Sequence, residues 1–305
     1  MSDELEARIR GRLPSLPEPT RGLLAAAIAP DAPDPWIRDV LLAYLRYFTR
    51  LFELGEPTDR AEATLADELT QMARAPRGTD AEADIEAAEH VLRRDFTERG
   101  FQFLGGRTPP HFGAYIWRRT EDREFSVTLP RGEPQQVTVH FMHDFVLRGW
   151  LHWKTDGAQG AGGWYQQDDP SWADGLYCVA DRYPEPLAEN RSFQVSLLAH
   201  EAQHVADHRA HPGLSSAELE YRAKLVELIG YDAVEERLTA FLDDARDDPA
   251  EPHPYAAYLI TARLARQLLA TEAADADWDS IPYADIAAAA QRLLDEDTER
   301  LAASD

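Results

Sequence analysis

Leu197-Leu198-Ala199-His200-Glu201-Ala202-Gln203-His204-Val205-Ala206-Asp207 is the stretch from which the fold of this 305-residue chain can be read outward. Four residues make about one helical turn, so His200 and His204 leave one face of a helix and can close on a single cation. Glu201 stands one position round, beside such a cation and not on it, where a carboxylate can take a proton from water. Pro186 to Ala210 reads as one helix, with Phe193, Leu197, Leu198, Ala202 and Val205 as its buried stripe. The histidines lie at the edge of that stripe, where a site half-buried between elements belongs. The competing reading is a solvated helix face.

Two imidazoles need a third protein donor if they are to hold zinc and leave a position open for chemistry. Pro212-Gly213 stops the first helix, and Ser215 with Glu218 forms the S-x-x-E capping box that opens a second. Glu218 is thereby accounted for. Glu220, in Glu220-Tyr221-Arg222-Ala223-Lys224, is the donor that a short antiparallel helical hairpin can aim back at the imidazoles. Its competing role is an i,i+4 pair with Lys224, in the favourable order. Asp207 shares the histidine face and is placed to orient a ligand imidazole by accepting its other ring proton. His208 and His211 read as solvent-facing residues suited to a helix C-terminus. The pattern H-E-x-x-H-x-x-G-x-x-H is not met, since Asp207 and Ala210 stand where it needs glycine and histidine.

With His200-Glu201-x-x-His204 and a glutamate on the following helix, the chain resembles the zincin metallopeptidases in their gluzincin branch. Glu220-Tyr221-Arg222-Ala223-Lys224 is also similar to the E-x-x-A-D motif of membrane-embedded gluzincins, with Lys224 where that motif has Asp. The resemblance is carried by the motif segment and, in general layout, by residues 100 to 230. It implies zinc bound by His200, His204 and Glu220, with Glu201 as general base. It also implies a Tyr, His or Arg donating to the oxyanion; His253-Pro254-Tyr255, at the start of a late helix, offers His253 and Tyr255, with helix entry as the plainer role. The activity it implies is zinc-dependent hydrolysis of peptide bonds in a peptide or protein substrate. Two other readings stand beside it: a binding or scaffold protein with a structural or vestigial zinc site, and a zinc hydrolase of a non-peptide substrate.

Composition narrows the partners. With 55 acidic against 31 basic residues the net charge is -24, which argues against nucleic acid or an anionic membrane surface. No apolar run approaches the length of a membrane-spanning helix, and Pro14, Pro17 and Pro19 with a mixed-charge N-terminus do not make a signal peptide. Cys178 is the single cysteine, so an intramolecular disulfide is excluded and a reducing, cytoplasmic setting is expected. Its context, Leu176-Tyr177-Cys178-Val179-Ala180, reads as a strand core.

Along the chain, residues 1–99 read as a helical region and 100–305 as a second domain, with a sheet over 100–185 and helices over 186–305. Trp36 to Leu54, Asp59 to Ala73 and Asp80 to Arg99 carry apolar residues at three- and four-residue intervals, ending at Gly55, Pro76-Arg77-Gly78 and Gly100. From Phe101 the period becomes two, in Ala114 to Arg118, Glu124 to Leu129 and Gln136 to Phe141, with Pro130-Arg131-Gly132 as a turn. His140-x-x-His143 falls on such a strand, so its rings point to opposite faces and chelate poorly. Helices resume over roughly 231–246, 255–271 and 282–302. The expected class is α+β, a mostly antiparallel sheet lying against the motif helix. A strand edge at Gly162-Gly163-Trp164-Tyr165 is the candidate for holding an extended chain, because glycine lets another backbone approach; an ordinary surface loop is the alternative.

Overall fold

The computed structural model describes residues 2–74, 80–132, 134–166, 172–230 and 234–303. It has the expected α+β class, mostly helical with short, largely antiparallel strands. Two compact units divide it: Met1–Glu121 with Met142–Ala161, and Asp122–Phe141 with Gly162–Asp305. The boundary drawn at residue 99 marks where helices give way to strands, whereas the units are interleaved along the chain.

In the first unit, α1 (Ser2–Arg12), α2 (Thr20–Ala27), α3 (Pro35–Phe52), α4 (Thr58–Ala73) and α5 (Ala81–Glu98) are followed by short strands. The helix α3 shows why these segments are helical. Asp34 accepts hydrogen bonds from the Trp36 and Ile37 amides at 3.0 and 3.2 Å, and Pro35 sits in the first turn, where its missing N–H costs nothing. Its stripe of Ile37, Leu41, Tyr44, Leu45 and Phe48 is buried against Leu65, Leu69, Leu92 and Phe96. Pro76-Arg77-Gly78 lies outside the described residues. Strands β1 (Gln102–Leu104), β4 (Tyr115–Trp117) and β7 (Leu147–Arg148) form an antiparallel sheet, β2 (Arg107–Thr108) pairs with β3 (His111–Phe112), and a short helix α6 (Gly149–Lys154) follows.

The second unit carries a four-stranded sheet of β5 (Arg119–Thr128), β6 (Pro134–His143), β8 (Gly163–Gln166) and β9 (Gly175–Val179), in the order β5-β6-β9-β8. The side-chain pairs Asp122–His140, Glu124–Thr138 and Ser126–Gln136 step in opposite senses along β5 and β6, as antiparallel strands require. Alternation sends Val127, Val137, Val139, Phe141, Leu176 and Cys178 to one face, where Phe193, Leu197, Leu198 and Ala202 pack on them. The expected stripe of the motif helix, Val205 included, is thus buried.

The motif helix itself differs from expectation. It does not run from Pro186: a 3-10 turn at Leu187–Glu189 comes first, and Asn190 then accepts from the Phe193 amide at 3.0 Å, as a cap does. A π-helical stretch over Ser192–Ala199 leads into α7 (His200–Ala210). Such wide turns recur beside functional sites. The capping box is present, with Ser215 N–H donating to Glu218 at 3.0 Å and Glu218 N–H to the Ser215 hydroxyl at 3.3 Å. It opens α8 (Ser216–Gly230), which packs with α9 (Val234–Asp244), α10 (Pro252–Leu269) and α11 (Tyr283–Ala302) around Leu225, Leu228, Phe241, Ile260, Leu264, Ile286 and Leu294. Among the described residues no helix is long and apolar enough to cross a membrane.

Candidate metal centre

Helices α7 and α8 meet across the connection at residues 211–215, and His200–Glu227 and His204–Glu220 pair in opposite senses along them. The two Nε2 atoms approach to 3.1 Å, and the Glu220 carboxylate faces both, at 3.5 Å from His200 Nε2 and 3.4 Å from His204 Nε2. These three side chains are the one group among the described residues whose donor atoms converge as a metal site would require. Zinc–ligand bonds of about 2.0–2.1 Å in a tetrahedron place neighbouring ligand atoms about 3.3–3.4 Å apart, close to the 3.1, 3.4 and 3.5 Å seen here. The donor set therefore fits zinc. Glu220 is mostly buried and does not pair with Lys224, whose ammonium lies 4.6 Å from the Phe241 ring centre.

The electrostatics follow from convergence. Burial disfavours the charged form of His200, but hydrogen bonds with Glu220 and Glu227 outweigh it and lift its pKa to about 10. Burial pushes the Glu220 carboxyl up, and the surrounding imidazoles of His200, His204 and His253 hold it far below the usual carboxylate range. A pocket that sets the Glu220 and Glu227 carboxylates against two imidazoles attracts a cation, whether a proton or a metal.

Glu201 lines a cavity of about 370 Å³ on the open side of this cluster, together with Gly163, Trp164 and Tyr165 of β8, His204, His208, Ser216, Leu219, Glu220 and His253. Both ends of the sequence reading, the helix motif and the glycine-rich strand, thus reach one cavity. The crowding at the glycines is internal, however. A Cβ on Gly163 would sit 2.7 Å from the Tyr177 carbonyl oxygen, and one on Gly162 would sit against the Tyr183 hydroxyl. Glycine is needed there so that β8 can close on its own neighbours.

Two expectations are corrected. Asp207 does not orient an imidazole: it accepts from Gln203 at 2.9 Å and pairs at 2.9 Å with the buried Arg222, which also reaches Asp297 at 3.0 Å. An aspartate three residues past His204 has rotated off the ligand face toward α11. Tyr255 stacks on Tyr258 and is not among the cavity's lining residues. His253 does line it, as expected of a candidate there, and its Nδ1 lies 2.8 Å from Oε2 of Glu220, the candidate third ligand.

The carboxylate that does contact one of these imidazoles had not been singled out. Glu227 accepts from His200 Nδ1 at 2.8 Å, which aims the Nε2 lone pair into the cluster. Its sequence signal is its position seven residues, about two turns, after Glu220, which places both on one face of α8. His208, read as solvent-facing, is half-buried and lines the cavity. His140 is a buried ring tilted against Tyr177, 4.6 Å between ring centres, and bonded to Asp122 at 2.8 Å. Cys178 is buried in β9, and burial pushes its thiol well above the ordinary range, away from nucleophile chemistry. No family model, curated protein or solved structure matches the chain.

Proposed function

We propose that this protein is a zinc-dependent peptidase of the gluzincin kind, hydrolysing peptide bonds with Glu201 as general base. The observation that carries the reading is the convergence of His200, His204 and Glu220 beside an open cavity that Glu201 and a sheet strand both line. In the order β5-β6-β9-β8, β8 stands last among the described residues. Its register pairs Gly163 with Cys178, and Val179 N–H donates to Gly162 O at 2.9 Å, so Gly163 turns its own N–H and C=O away from β9. That geometry suits an extended chain laid along the strand, which favours a peptide over a compact small molecule.

His200, His204 and Glu220 would hold the metal, and zinc bound there supplies Lewis acidity toward a carbonyl and acidifies water. Glu201 receives a proton from the attacking water as the new C–O bond forms at the scissile carbonyl. It then delivers that proton to the nitrogen as the C–N bond breaks, so no covalent enzyme adduct is needed. Glu227 keeps the Nδ1 proton of His200 on its far side throughout. The reading takes the cytoplasm as the setting, since a lone cysteine calls for no oxidising compartment, and a peptide or protein as substrate.

Glu201→Gln tests this. It is close to isosteric, so zinc content and melting behaviour should be kept while cleavage of unstructured protein substrates falls by at least ~100-fold. A zinc-loaded native protein that leaves a broad peptide library uncut would refute the assignment, as would a variant that cuts as well as the parent.

A further inference from the structure

The orienting carboxylate is itself held, and from a helix that contributes no ligand. Arg237, on α9, lies with one guanidinium nitrogen 3.2 Å from Glu227 Oε2, while its other terminal nitrogen donates to the Ser196 hydroxyl at 2.7 Å. Ser196 belongs to the π-helical stretch and precedes His200 by four residues. Glu227 and Arg237 are both largely withdrawn from solvent, the former almost wholly. An unbroken chain of contacts therefore runs from the Nε2 cluster through the His200 ring, the Glu227 carboxylate and the Arg237 guanidinium, and returns to the helix that bears the motif.

From this geometry we infer that Arg237 is a positioning residue of the metal centre. A carboxylate on a two-carbon stem has a free rotation about its last torsion. One oxygen on His200 Nδ1 does not by itself stop it from turning off the ring. The planar guanidinium supplies the second anchor, because one terminal nitrogen forms an ion pair with Glu227 while the other hydrogen-bonds Ser196 at a fixed separation, which an ammonium on a flexible stem does not reproduce. By bonding Ser196 as well, it fixes α9 and Glu227 to the same helical turn from which His200 projects. The His200 ring is thus set before any metal arrives, and the ordering it needs is already complete in the folded chain.

This inference rests on the zinc reading above, and its test separates the two. Zinc affinity of the full-length protein is measured by chelator competition for the native chain, Arg237→Ala, Arg237→Lys and Ser196→Ala, with Arg246→Ala as a surface control. Cobalt-loaded absorption spectra and melting of the metal-free forms are recorded beside it. Arg237→Ala should weaken zinc binding by ~10–100-fold, the range for losing a partner behind a ligand, and should alter the cobalt spectrum. Arg237→Lys should recover only part of the affinity. Ser196→Ala, which leaves the ion pair and so does not threaten folding, should lose several-fold. Arg246→Ala should change nothing. If the native chain binds no zinc, the metal reading itself fails. If it binds zinc and both Arg237→Ala and Ser196→Ala bind it equally well with an unchanged cobalt spectrum, Arg237 is only a packing residue and the inference is overturned. Should Arg237→Ala not fold, the Ser196→Ala and Arg237→Lys affinities decide in the same way.

Discussion

Glu218 and Glu220 stand two residues apart on the first turns of α8, and the structure gives them unrelated jobs that one pair of substitutions can separate. Glu218 accepts from the Ser215 amide at 3.0 Å and from its hydroxyl at 2.8 Å, and lies 3.4 Å from Arg300 at the surface. Glu218→Ala removes a cap and should cost about 0.5–2 kcal/mol of stability, the same with zinc present or absent. Glu220 faces His200 and His204 at 3.5 and 3.4 Å and is one of the three groups proposed to hold the metal. Its loss should weaken zinc binding by more than the ~10–100-fold that accompanies loss of an orienting partner. The consequence for stability follows from linkage. Zinc free at about 1,000 times its Kd adds about 4.1 kcal/mol to the folded state; if Kd rises 100-fold at the same free zinc, about 1.4 kcal/mol of that remains. Thermal melts of both variants with buffered zinc and with a chelator, together with competition titrations, read these differences. Glu218→Ala should lower both melts equally, whereas Glu220→Ala should erase most of the gap between them. A Glu220→Ala protein that keeps the native zinc affinity, or a Glu218→Ala protein that loses it, would refute the geometry of the site.

Asp207→Asn should leave zinc affinity unchanged while costing roughly 1.5–3 kcal/mol in denaturant melts, because Arg222 loses one charged acceptor but retains Asp297; a large drop in zinc affinity would return Asp207 to the metal centre. In the first unit, burial raises the Glu89 carboxyl to about 7, against opposing hydrogen bonds from Tyr44 at 2.5 Å and Gly106 N–H at 2.7 Å. The folded state then holds a proton that the unfolded chain has released, so this contribution to stability is present below about pH 4.5 and is lost as pH rises through about 7, by on the order of 3 kcal/mol in total. Denaturant melts between pH 4.5 and 8 should show that slope in the native chain and a flatter one in Glu89→Gln; equal slopes would remove Glu89 as its source.

What the sequence determined alone is what neighbouring residues along the chain decide among themselves. Two histidines one turn apart must share a helix face, Ser215 must find Glu218, and the change of apolar period from near four to two after Gly100 separates helices from strands. The expectation for Glu220 also came from local punctuation, since the Pro212-Gly213 stop left it the available donor. The rotation of α8 and α11 about α7 had no such local signal. It is set by how Leu225, Leu228, Leu294 and their neighbours fill one core while Leu197, Leu198 and Ala202 fill another against the sheet. A helix turned by one residue moves a side chain through about 100°, more than enough to exchange the partners of adjacent acids. That rotation gave Asp207 to Arg222 and Glu227 to His200, while pairing with β9 set β8 at the cavity beside Glu201. Which residues can offer donor atoms is thus local chemistry, while their orientation and support are products of packing between segments far apart in the chain.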